Sequence, residues 1–436
     1  MTIRKLFEPN SVAVVGASRD PEKLGHIVVK NLKEADFEGK IYPVNPETDE
    51  ILDLKCYPSL KEAPKKTQLA VIVLPAQKVP SILKQCDENN VKNAIIVSGG
   101  FSEYDEEGEE LEEEVLEIAK EMNIRILGPN CQGINNTSNG LCATWPLITK
   151  EGPLSIVTQS GTIAAALSNW AEEENIGVAK TAILGNKADI DEADLIDYLA
   201  DDEETGVIGI YLDGVEKGRK FLEAARKAAE EKPVVVLKGG RSERGSKAVK
   251  SHTQSYAGKY EIFRSACRQE GLILVESVTE FYNVCKGIAA LPQPEDSNTV
   301  IVTSSGGSGI LAIDAAENLD VDLIDLSDRA VEKLDEVLPR ECILSNPLDL
   351  TGSATAGMFD DSIKILARYK DINNLVVIVG DPIPGIADVI KERFDRLTII
   401  PVMLGMGKEG LKEKLIDAGI PVFSDPALAM KVADAL

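Results

Sequence analysis

The chain has 436 residues, of which 44% are hydrophobic and only 5% aromatic, and its formal net charge is −25. This length predicts roughly two to four domains, and cores built from Val, Ile, Leu and Ala suit parallel sheets that are buried on both faces. The negative charge argues against non-specific binding to nucleic acid or to an anionic membrane. An anionic ligand must therefore be held by local groups, such as helix N-termini and individual Lys or Arg residues.

The cellular location is predicted from what the sequence lacks. No apolar run approaches the roughly 20 residues that a membrane span needs, and the first residues, Met1–Lys5, lead into no signal-peptide core. The seven cysteines are scattered without a C-x-x-C pair, which predicts neither a disulfide framework nor a metal site. We therefore expect a cytoplasmic protein.

Residues 1 to about 127 alternate short β-rich runs with helical patterns. This alternation is typical of a doubly wound parallel sheet. Helices are predicted near 22–35, 78–90 and 105–122, and the last opens on an acidic run that suits a helix start. The predicted strands are Ser11–Val15, Lys40–Val44, Leu69–Leu74, Ala94–Val97 and Ile124–Leu127.

Two further α/β modules are predicted after a Gly- and Asn-rich stretch at 128–140. The segment Leu291–Asn298 has two prolines and no periodicity, which predicts a linker between them. The predicted domains are therefore 1–140, 141–292 and 299–436, each doubly wound. Further strands are predicted at Leu154–Val157, Val178–Leu184, Val207–Tyr211, Val234–Leu237, Leu272–Val275, Thr299–Thr303, Val376–Val379 and Thr398–Val402, with third-module helices near 329–338, 386–394 and 408–418.

The second and third modules open alike. One begins Leu154-Ser-Ile-Val-Thr-Gln-Ser160-Gly161, and the other begins Val300-Ile-Val-Thr-Ser-Ser305-Gly306. In both, an apolar helical pattern follows. The shared strand–T-x-S-G–helix unit indicates two related modules in tandem.

The turn after the first predicted strand is Gly16-Ala17-Ser18. Such a turn lets backbone amides approach a phosphate, although a tight turn with a helix cap is the alternative. An NAD site is disfavoured, because Ser18 stands where G-x-G-x-x-G needs its second glycine and Asn45, not an acidic residue, ends the second strand. Asn45 fits a nucleotide held differently, with Lys40 available to meet a phosphate.

Histidine occurs only twice. His26 opens a helical stretch, and an ordinary surface or packing role is expected for it. His252 lies in a Gly- and Ser-rich segment, 238–258, between a strand and a helix, where we predict a long loop suited to placing a polar side chain in a site for anions. A solvated basic loop is the alternative. The segment's basic residues are Lys238, Arg241, Arg244, Lys247 and Lys250.

A neutral imidazole at His252 could accept a phosphoryl group on one nitrogen while a carboxylate at the other fixes its tautomer. Asp213 is the candidate carboxylate, because it ends a predicted strand and α/β sheets place their sites at that edge. A plain turn residue is the alternative. Ser160, Gly161 and Thr162 would offer a helix N-terminus to the phosphate, or would simply cap that helix.

A series of short motifs, taken in order, points to one family. They are Val-Val-Gly16-Ala-Ser-Arg-Asp-Pro-Glu-Lys-Leu-Gly25, Ile41-Tyr-Pro-Val-Asn-Pro46, Leu69-Ala-Val-Ile-Val-Leu-Pro-Ala76, Gly128-Pro-Asn-Cys-Gln-Gly133, Gln159-Ser-Gly161, Gly185-Asn-Lys-Ala-Asp189-Ile-Asp191, Lys238-Gly-Gly-Arg-Ser242, Ser251-His-Thr253, Ser305-Gly-Gly307 and Asn346-Pro-Leu-Asp349. Each is common alone, but the order is specific. Over essentially its whole length the chain resembles the α subunit of the NDP-forming acyl-CoA synthetases: archaeal ADP-forming acetyl-CoA synthetase and, more distantly, succinyl-CoA synthetase.

The resemblance implies a Rossmann-like CoA-binding domain followed by two flavodoxin-like ligase-CoA domains. The implied reaction converts acyl-CoA, ADP and phosphate into the acid, CoA and ATP, through an acyl phosphate and a phosphohistidine at His252. Gly161 and Thr162 would hold phosphate. The implied CoA-site residues are Gly16, Ala17, Ser18, Lys40, Pro43, Asn45 and Pro75.

Two positions depart from the family pattern. Gln254 stands where the family has Gly after Ser-His-Thr, so the segment would be stiffer or would help to hold phosphate. Asp213 stands where the family has Glu, so a backbone shift or a bridging water must supply its reach to His252. If neither occurs, Asp213 is the wrong partner, and Asp189, Asp191 and a carboxylate of another chain are the candidates to test.

The sequence shows neither a P-loop motif nor a nucleotide-grasping segment. The family supplies an ATP-grasp fold from a β subunit or from a fused segment. The resemblance therefore implies a β partner, in an α2β2 assembly, that binds most of the ADP or ATP with Mg²⁺. This chain alone is not expected to make ATP.

The first hypothesis is therefore the α subunit of an ADP-forming acyl-CoA (acetyl-CoA) synthetase. A non-catalytic CoA-binding regulatory or scaffold protein of the same fold is the alternative, which Gln254 and Asp213 keep open. An NAD-dependent oxidoreductase is disfavoured by Ser18 and Asn45.

Overall fold

In a computed structural model of the chain, the described residues are 3–253, 259–394, 397–405, 407 and 409–436, without the side chains of 250–253 and 409. They form two compact units. Unit 1 runs to Glu173 and from Gly177 to Val278, and unit 2 comprises Glu174–Ile176 and Thr279–Leu436. Each unit is built on buried parallel strands covered by helices, so the α/β class is confirmed.

Unit 1 begins with a parallel sheet in the order β2-β1-β5-β6-β7. Its strands are β1 (Ser11–Val15), β2 (Lys40–Val44), β5 (Leu69–Ile72), β6 (Asn93–Ile96) and β7 (Arg125–Leu127), beside a small antiparallel pair, β3 (Glu50–Ile51) and β4 (Leu54–Lys55). The helices are α1 (Arg4–Phe7), α2 (Leu24–Glu34), α3 (Val79–Glu88) and α4 (Glu106–Glu121), with a 3-10 turn at Ala76–Lys78. β1 and β5 are buried along their whole length, because helices cover both faces of a doubly wound sheet.

The second sheet of unit 1 has the order β14-β13-β12-β10-β11-β8-β9. Its strands are β8 (Gly133–Asn136), β9 (Leu141–Ala143), β10 (Leu154–Thr158), β11 (Val178–Ile183), β12 (Val207–Leu212), β13 (Val234–Lys238) and β14 (Ile273–Val275). The helices are α5 (Gly161–Glu173), α6 (Glu192–Ala200), α7 (Gly218–Ala229), α8 (Glu243–Thr253) and α9 (Tyr260–Gln269), with a 3-10 turn at Thr137–Asn139.

The antiparallel strands β8 and β9 extend the second sheet beyond its parallel core. β8 lies within the Gly- and Asn-rich stretch, 128–140, that the sequence predicts as a connection, and β9 follows directly after that stretch. The predicted domain boundary after residue 140 falls between these two strands. The three domain bounds stay a prediction. The first strand of the second sheet is β8, which begins at Gly133.

The segment around His252 differs from the predicted loop. Residues Glu243–Thr253 form the helix α8. The Ser242 hydroxyl accepts a hydrogen bond from the Gly245 amide at 3.0 Å, close to the helix start, and Val249 is buried. This helix was not predicted because the surrounding segment is rich in Gly and Ser, and because the helix itself has one strongly apolar side chain, Val249.

Unit 2 is built on a sheet in the order β16-β17-β15-β18-β19. Its strands are β15 (Thr299–Thr303), β16 (Ile343–Leu344), β17 (Leu348–Asp349), β18 (Asn374–Val379) and β19 (Thr398–Met403). The helices are α10 (Val278–Ala290), which joins this unit from its second residue, α11 (Gly306–Ala316), α12 (Asp328–Asp335), α13 (Ala356–Leu366), α14 (Ile386–Arg393), α15 (Glu409–Asp417) and α16 (Pro426–Ala435). The strands predicted near 299, 376 and 398 are confirmed, whereas β16 and β17 were not predicted.

α10 packs within unit 2, ahead of the predicted linker at 291–298. Gly287 lies so close to α16 that a Cβ atom would come within 2.4 Å of a Val432 methyl carbon. Glu280 also forms an ion pair with Lys431 at 2.9 Å. Close helix contact of this kind explains why the compact unit begins before the proline-rich segment.

The T-x-S-G turns of the second and third modules have the same local structure. Thr158 Oγ1 accepts from the Ser160 amide at 3.0 Å and donates to the Ser160 carbonyl at 3.1 Å. Thr303 Oγ1 does both with Ser305, each at 2.9 Å. This agreement supports the predicted kinship of the two modules.

Among the described helices, none is both long enough and apolar enough to cross a membrane.

Candidate functional site

The turn that follows β12 carries the predicted carboxylate, Asp213, at the switch point of the second sheet. β10 lies between β11 and β12, so the chain leaves β10 on one side and later crosses to the other. Open α/β sheets bind ligands in the crevice that such a reversal creates at the carboxyl ends of the strands. The segment after β10 and the Asp213–Gly214 turn both border that crevice.

Gln159 joins these two segments. Its Oε1 atom accepts hydrogen bonds from the backbone amides of Asp213 at 2.7 Å and Gly214 at 3.2 Å. Only an acceptor can face two N–H donors, so the orientation of the amide is determined. The residue is 5% exposed, and its Nε2 group has no hydrogen-bond partner among the described residues. A buried donor of this kind costs about 1–3 kcal/mol unless something pairs with it.

Two buried lysines hold the carbonyl groups of the same turn. Lys238, the last residue of β13, donates to the Asp213 carbonyl at 2.5 Å, and Lys187 donates to the Gly214 carbonyl at 2.9 Å. Lys187 is also paired with the buried carboxylate of Glu192 at 2.9 Å. Burial lowers the pKa of Lys238 to about 8, with Asp213 opposing the shift and Lys187 adding to it.

Tyr211 and Gly239 fix the position of the Asp213 side chain. The Tyr211 hydroxyl donates to Asp213 Oδ1 at 2.7 Å. Burial, followed by the hydrogen bond and charge of Asp213, raises the pKa of Tyr211, so the phenol stays a donor. A Cβ atom at position 239 would lie 2.9 Å from Asp213 Oδ1 and 3.0 Å from the Tyr211 hydroxyl. Glycine at 239 therefore leaves the carboxylate its space.

The predicted phosphate-binding residues lie at the start of α5. Ser160 immediately precedes the helix, and Gly161 and Thr162 form its first turn. First-turn N–H groups lack partners within a helix and, with the helix dipole, favour an anion. The structure thus places the Ser160–Thr162 segment next to the turn of Asp213, with Gln159 between them.

His252 lies in α8, one residue before the end of that helix. Its side chain lies outside the part of the chain that the structure describes, as does residue Gln254. The pairing of His252 with Asp213 therefore stays a prediction.

The two other carboxylates considered from the sequence are engaged elsewhere. Asp189 accepts from Arg125 Nε at 2.9 Å. Asp191 caps α6 and forms ion pairs with Lys217 at 3.1 Å and Lys220 at 2.8 Å. These contacts favour Asp213 over both as a partner for an imidazole.

A second crevice lies at the switch point of the first sheet, where β1 is flanked by β2 and β5. Gly16, directly after β1, has a φ of +94°, and a Cβ atom there would lie 2.2 Å from the Val73 carbonyl oxygen. Only glycine suits this position. The Gly16 amide donates to the Val44 carbonyl at 3.0 Å, which ties the turn to the end of β2.

Two side chains hold the carbonyls of the Gly16–Ser18 turn. Asn45 Nδ2 donates to the Ala17 carbonyl at 2.7 Å, and His26 Nδ1 lies 2.9 Å from the Ser18 carbonyl oxygen. Because a carbonyl only accepts, His26 Nδ1 must carry a proton. His26, which is buried, therefore positions this turn, a more specific role than the surface or packing role expected from the sequence.

The other residues predicted for the CoA site lie in different places. Pro75 is exposed and follows β5 at the same edge of the sheet, while Pro43 is buried inside β2. Lys40 begins β2 and is aligned with Ser11. Four residues, or about 13 Å, separate it from the carboxyl end of that strand. The structure does not bring Lys40 together with the Gly16–Ser18 turn, so its role there stays a prediction that this geometry does not support.

Four residues that build the Asp213 site were not predicted from the sequence as site residues: Gln159, Tyr211, Lys187 and Glu192. Lys238 was counted only among the basic residues of a loop, although it ends a buried strand. In the sequence these residues could be noticed only as polar side chains at the end of an apolar run or in a Gly-rich motif. Such a pattern indicates the end of a strand but does not show which strand ends lie next to one another.

Two family models match the chain. A CoA binding domain matches residues 10–137, which contain the Gly16–Ser18 turn. A succinyl-CoA ligase like flavodoxin domain matches residues 151–288, which contain Gln159 and Asp213.

Several known proteins are similar over the whole chain. An acetate–CoA ligase (ADP-forming) I subunit alpha from Pyrococcus furiosus is 38% identical over 100% of this chain and 97% of its own length. An acetate–CoA ligase (ADP-forming) I from Archaeoglobus fulgidus is 39% identical over 100% of this chain, which spans 63% of that protein. The solved structure of a dinucleotide-forming acetyl-coenzyme A synthetase 1 from Ca. Korarchaeum cryptofilum, in complex with phosphate and ADP, is 33% identical. It superimposes with a TM-score of 0.93 over 99% of this chain and 96% of that one.

Proposed function

Because the chain belongs to the family of the ADP-forming acetate–CoA ligase alpha subunits, we propose that it forms the CoA- and phosphate-handling part of such a ligase. Membership confirms the resemblance inferred from the sequence. The proposed reaction is acyl-CoA + ADP + phosphate ⇌ acid + CoA + ATP, with acetyl-CoA as the first substrate to test.

The observation that carries the proposal is the construction of the Asp213 site. A helix N-terminus, a buried carboxylate and two buried lysines meet at the switch point of one sheet. Each backbone polar group of the Asp213–Gly214 turn is held by a side chain. Such preorganisation is what phosphoryl transfer requires, because its barrier is lowered mainly by positioning and by charge stabilisation.

The proposed chemistry has three balanced steps. A phosphate oxygen attacks the thioester carbon, the C–S bond breaks, and CoA leaves as a thiolate that takes a proton. A ring nitrogen of His252 then attacks the phosphorus of the acyl phosphate, and the P–O bond to the acyl group breaks to release the acid. Finally an oxygen of ADP attacks the phosphorus, the N–P bond breaks, and ATP and free imidazole result.

Asp213 is proposed to accept the N–H of the other imidazole nitrogen. This contact would fix the tautomer that attacks phosphorus and would stabilise the positive charge that develops on the ring. The rigid hold on Asp213 by Tyr211 suits this role. The shorter Asp in place of the family's Glu would then be compensated by movement of α8 or by a water.

The turn after β1 is proposed to hold CoA through its backbone. Gly16 permits close approach of a ligand at the sheet edge, and Asn45 and His26 keep the turn rigid. Ala17, Ser18 and the exposed Pro75 lie at the same edge, where open α/β sheets bind nucleotides.

The chain is proposed to act with an ATP-grasp β subunit, in an α2β2 assembly, that supplies the site for the Mg²⁺ complex of ADP or ATP. Two observations support a partner. Similar proteins are named subunit alpha, and another relative is longer, so that this chain spans 63% of it. A cytoplasmic location stays a prediction.

The proposal is tested by phosphorylation. The chain is mixed with its β subunit, Mg²⁺ and ATP labelled in the γ-phosphate, and the two subunits are then separated. We expect an acid-labile label on this chain that is absent from His252→Asn and absent when the β subunit is omitted. Tight CoA binding without any label would instead support the alternative of a non-catalytic CoA-binding protein.

A further inference from the structure

The amide of Gln159 does more than the scaffold requires. Its Oε1 atom ties the segment after β10 to the Asp213–Gly214 turn, and this tie fixes which way the amide faces. The Nε2 group is left buried and without a hydrogen-bond partner among the described residues. Native proteins pair their buried polar groups, so an orphan donor beside a crevice needs a reason.

The third module shows what the scaffold alone needs. Ser304 occupies the position that corresponds to Gln159, one residue after the strand threonine of the T-x-S-G turn. The Ser304 hydroxyl accepts from the Gly380 amide at 3.0 Å, and its own amide donates to the Ile378 carbonyl at 3.0 Å. The backbone amide of Gln159 donates to the Tyr211 carbonyl in the same way. A serine therefore suffices for the tie, and the N–H₂ group is what glutamine adds.

We propose that Gln159 Nε2 donates a hydrogen bond to an oxygen of the inorganic phosphate that enters the reaction, and later to the same phosphoryl group in the acyl phosphate. The inference rests on the proposed function and adds a phosphate-binding residue to it. Gln159 acts together with the first-turn amides of α5, at Gly161 and Thr162.

The chemistry of the surroundings favours an oxyanion as the ligand. The first turn of α5 presents N–H groups and the positive end of the helix dipole. Lys238 and Lys187 place positive charge behind the Asp213–Gly214 turn, while the Asp213 carboxylate accepts from the Tyr211 hydroxyl. A neutral amide donor adds a directed hydrogen bond without a further charge, which suits a group that must release the phosphoryl moiety again.

The substitution Gln159→Glu isolates the donor. A carboxylate oxygen still accepts from both backbone amides, so the tie between the segments is kept, but the N–H₂ group becomes a second anionic oxygen. With the β subunit, ADP and acetyl-CoA present, we expect the KM for inorganic phosphate to rise at least about tenfold. The KM for acetyl-CoA and for ADP should change less than about twofold. Gln293→Glu, at an exposed position of the proline-rich segment, is the matched control and should leave all three unchanged.

A pH profile separates loss of the donor from loss of the fold. Protonation of the new carboxyl group in Gln159→Glu restores a neutral side chain with one donor. The phosphate KM of this variant, divided by the wild-type KM at the same pH, should therefore fall towards one as the pH is lowered from about 8 to 6. A thermal unfolding midpoint equal to that of Gln293→Glu shows that the fold is kept.

Two outcomes are distinguishable. If the wild-type complex converts acetyl-CoA while Gln159→Glu keeps a phosphate KM within about twofold of wild type, the assignment of Gln159 is overturned and the proposed function stands. If the wild-type complex neither makes ATP nor labels His252, the proposed function fails first. Should Gln159→Glu unfold, Gln159→Met provides the second variant, and an unchanged phosphate KM in it would likewise overturn the assignment.

Discussion

The Tyr211 hydroxyl donates a hydrogen bond to Oδ1 of Asp213 at 2.7 Å, two residues along the chain. Both groups lie at the carboxyl end of β12, and Asp213 is 6% exposed. Burial raises the pKa of Tyr211, so this donor stays protonated through the neutral range. The phenol therefore holds the carboxylate in one orientation before any substrate arrives.

Removing that hydrogen bond tests the orientation of Asp213. In Tyr211→Phe the carboxylate loses a donor worth about 1–2 kcal/mol, so we expect the rate of His252 phosphorylation to fall about 5- to 20-fold. The KM for acetyl-CoA should stay within about twofold. Single-turnover labelling measures the rate, and Tyr104→Phe, at a side chain that is 79% exposed, is the control. Equal rates in the two variants would contradict the role assigned to Tyr211.

The buried pair Lys187–Glu192 is expected to be a large contributor to stability. The two side chains are 3% and 4% exposed and lie 2.9 Å apart. Glu192→Ala leaves a buried lysine unpaired, which typically costs about 3–5 kcal/mol and should lower the Tm by about 6–20 °C. Calorimetry measures the change. Glu336→Ala, which breaks an exposed pair with Lys333, should cost less than about 1 kcal/mol.

A double variant distinguishes stability from function at the same pair. Lys187→Met with Glu192→Leu fills the space with apolar groups and should recover most of the Tm. The double variant still lacks the hydrogen bond from Lys187 to the Gly214 carbonyl, so its rate of His252 phosphorylation should stay below that of the wild type. Recovery of both quantities would show that Lys187 acts through packing alone.

Lys238 predicts a pH dependence of unfolding. Burial lowers its pKa from 10.5 to about 8 in the folded chain, so between about pH 8 and 10 the unfolded chain binds more protons than the folded one. The contribution of Lys238 to the free energy of unfolding must therefore rise with pH in this window and be constant below it. We expect the wild type to gain about 1–3 kcal/mol relative to Lys238→Met from pH 8 to 10. Denaturant unfolding measures this difference.

The control for that experiment is Lys65→Met at an exposed position. The difference between the wild type and this control should be flat over the same pH range. A flat difference for Lys238→Met as well would mean that Lys238 keeps its proton in the folded chain.

CoA binding is expected to depend on the absence of a Cβ atom at position 16. Gly16→Ala must place a Cβ atom 2.2 Å from the Val73 carbonyl oxygen at a φ of +94°, so the turn has to move. We expect a loss of about 1–3 kcal/mol in stability and at least a tenfold weaker affinity for CoA by calorimetry. Gly218→Ala is the control, because nothing lies within 4 Å of its Cβ position. CoA affinity equal to wild type in Gly16→Ala would contradict the assignment of this turn.

Much of the fold could be predicted, since buried parallel strands are continuous apolar runs. Ser11–Val15, Lys40–Val44 and Thr299–Thr303 have the same bounds in the sequence prediction and in the structure. β16 and β17 were missed because strands of two residues are too short to form a pattern. Helix α8 was missed because Val249 is its one strongly apolar side chain, so the helix shows no apolar periodicity.

The local order of strands, helices and motifs was thus determined by the sequence itself, because periodicity and turn chemistry act over a few residues. The contacts of the candidate site were decided only by the tertiary structure. Gln159 meets the Asp213 amide across 54 residues, and it does so because β12 lies beside β10 with Thr158 aligned to Tyr211. Strand order and register depend on the packing of the whole sheet, so no local pattern states which strand ends meet. The motif around Gln159 was visible in the sequence, but the orphan donor that gives Gln159 its proposed role exists only once the two strands lie side by side.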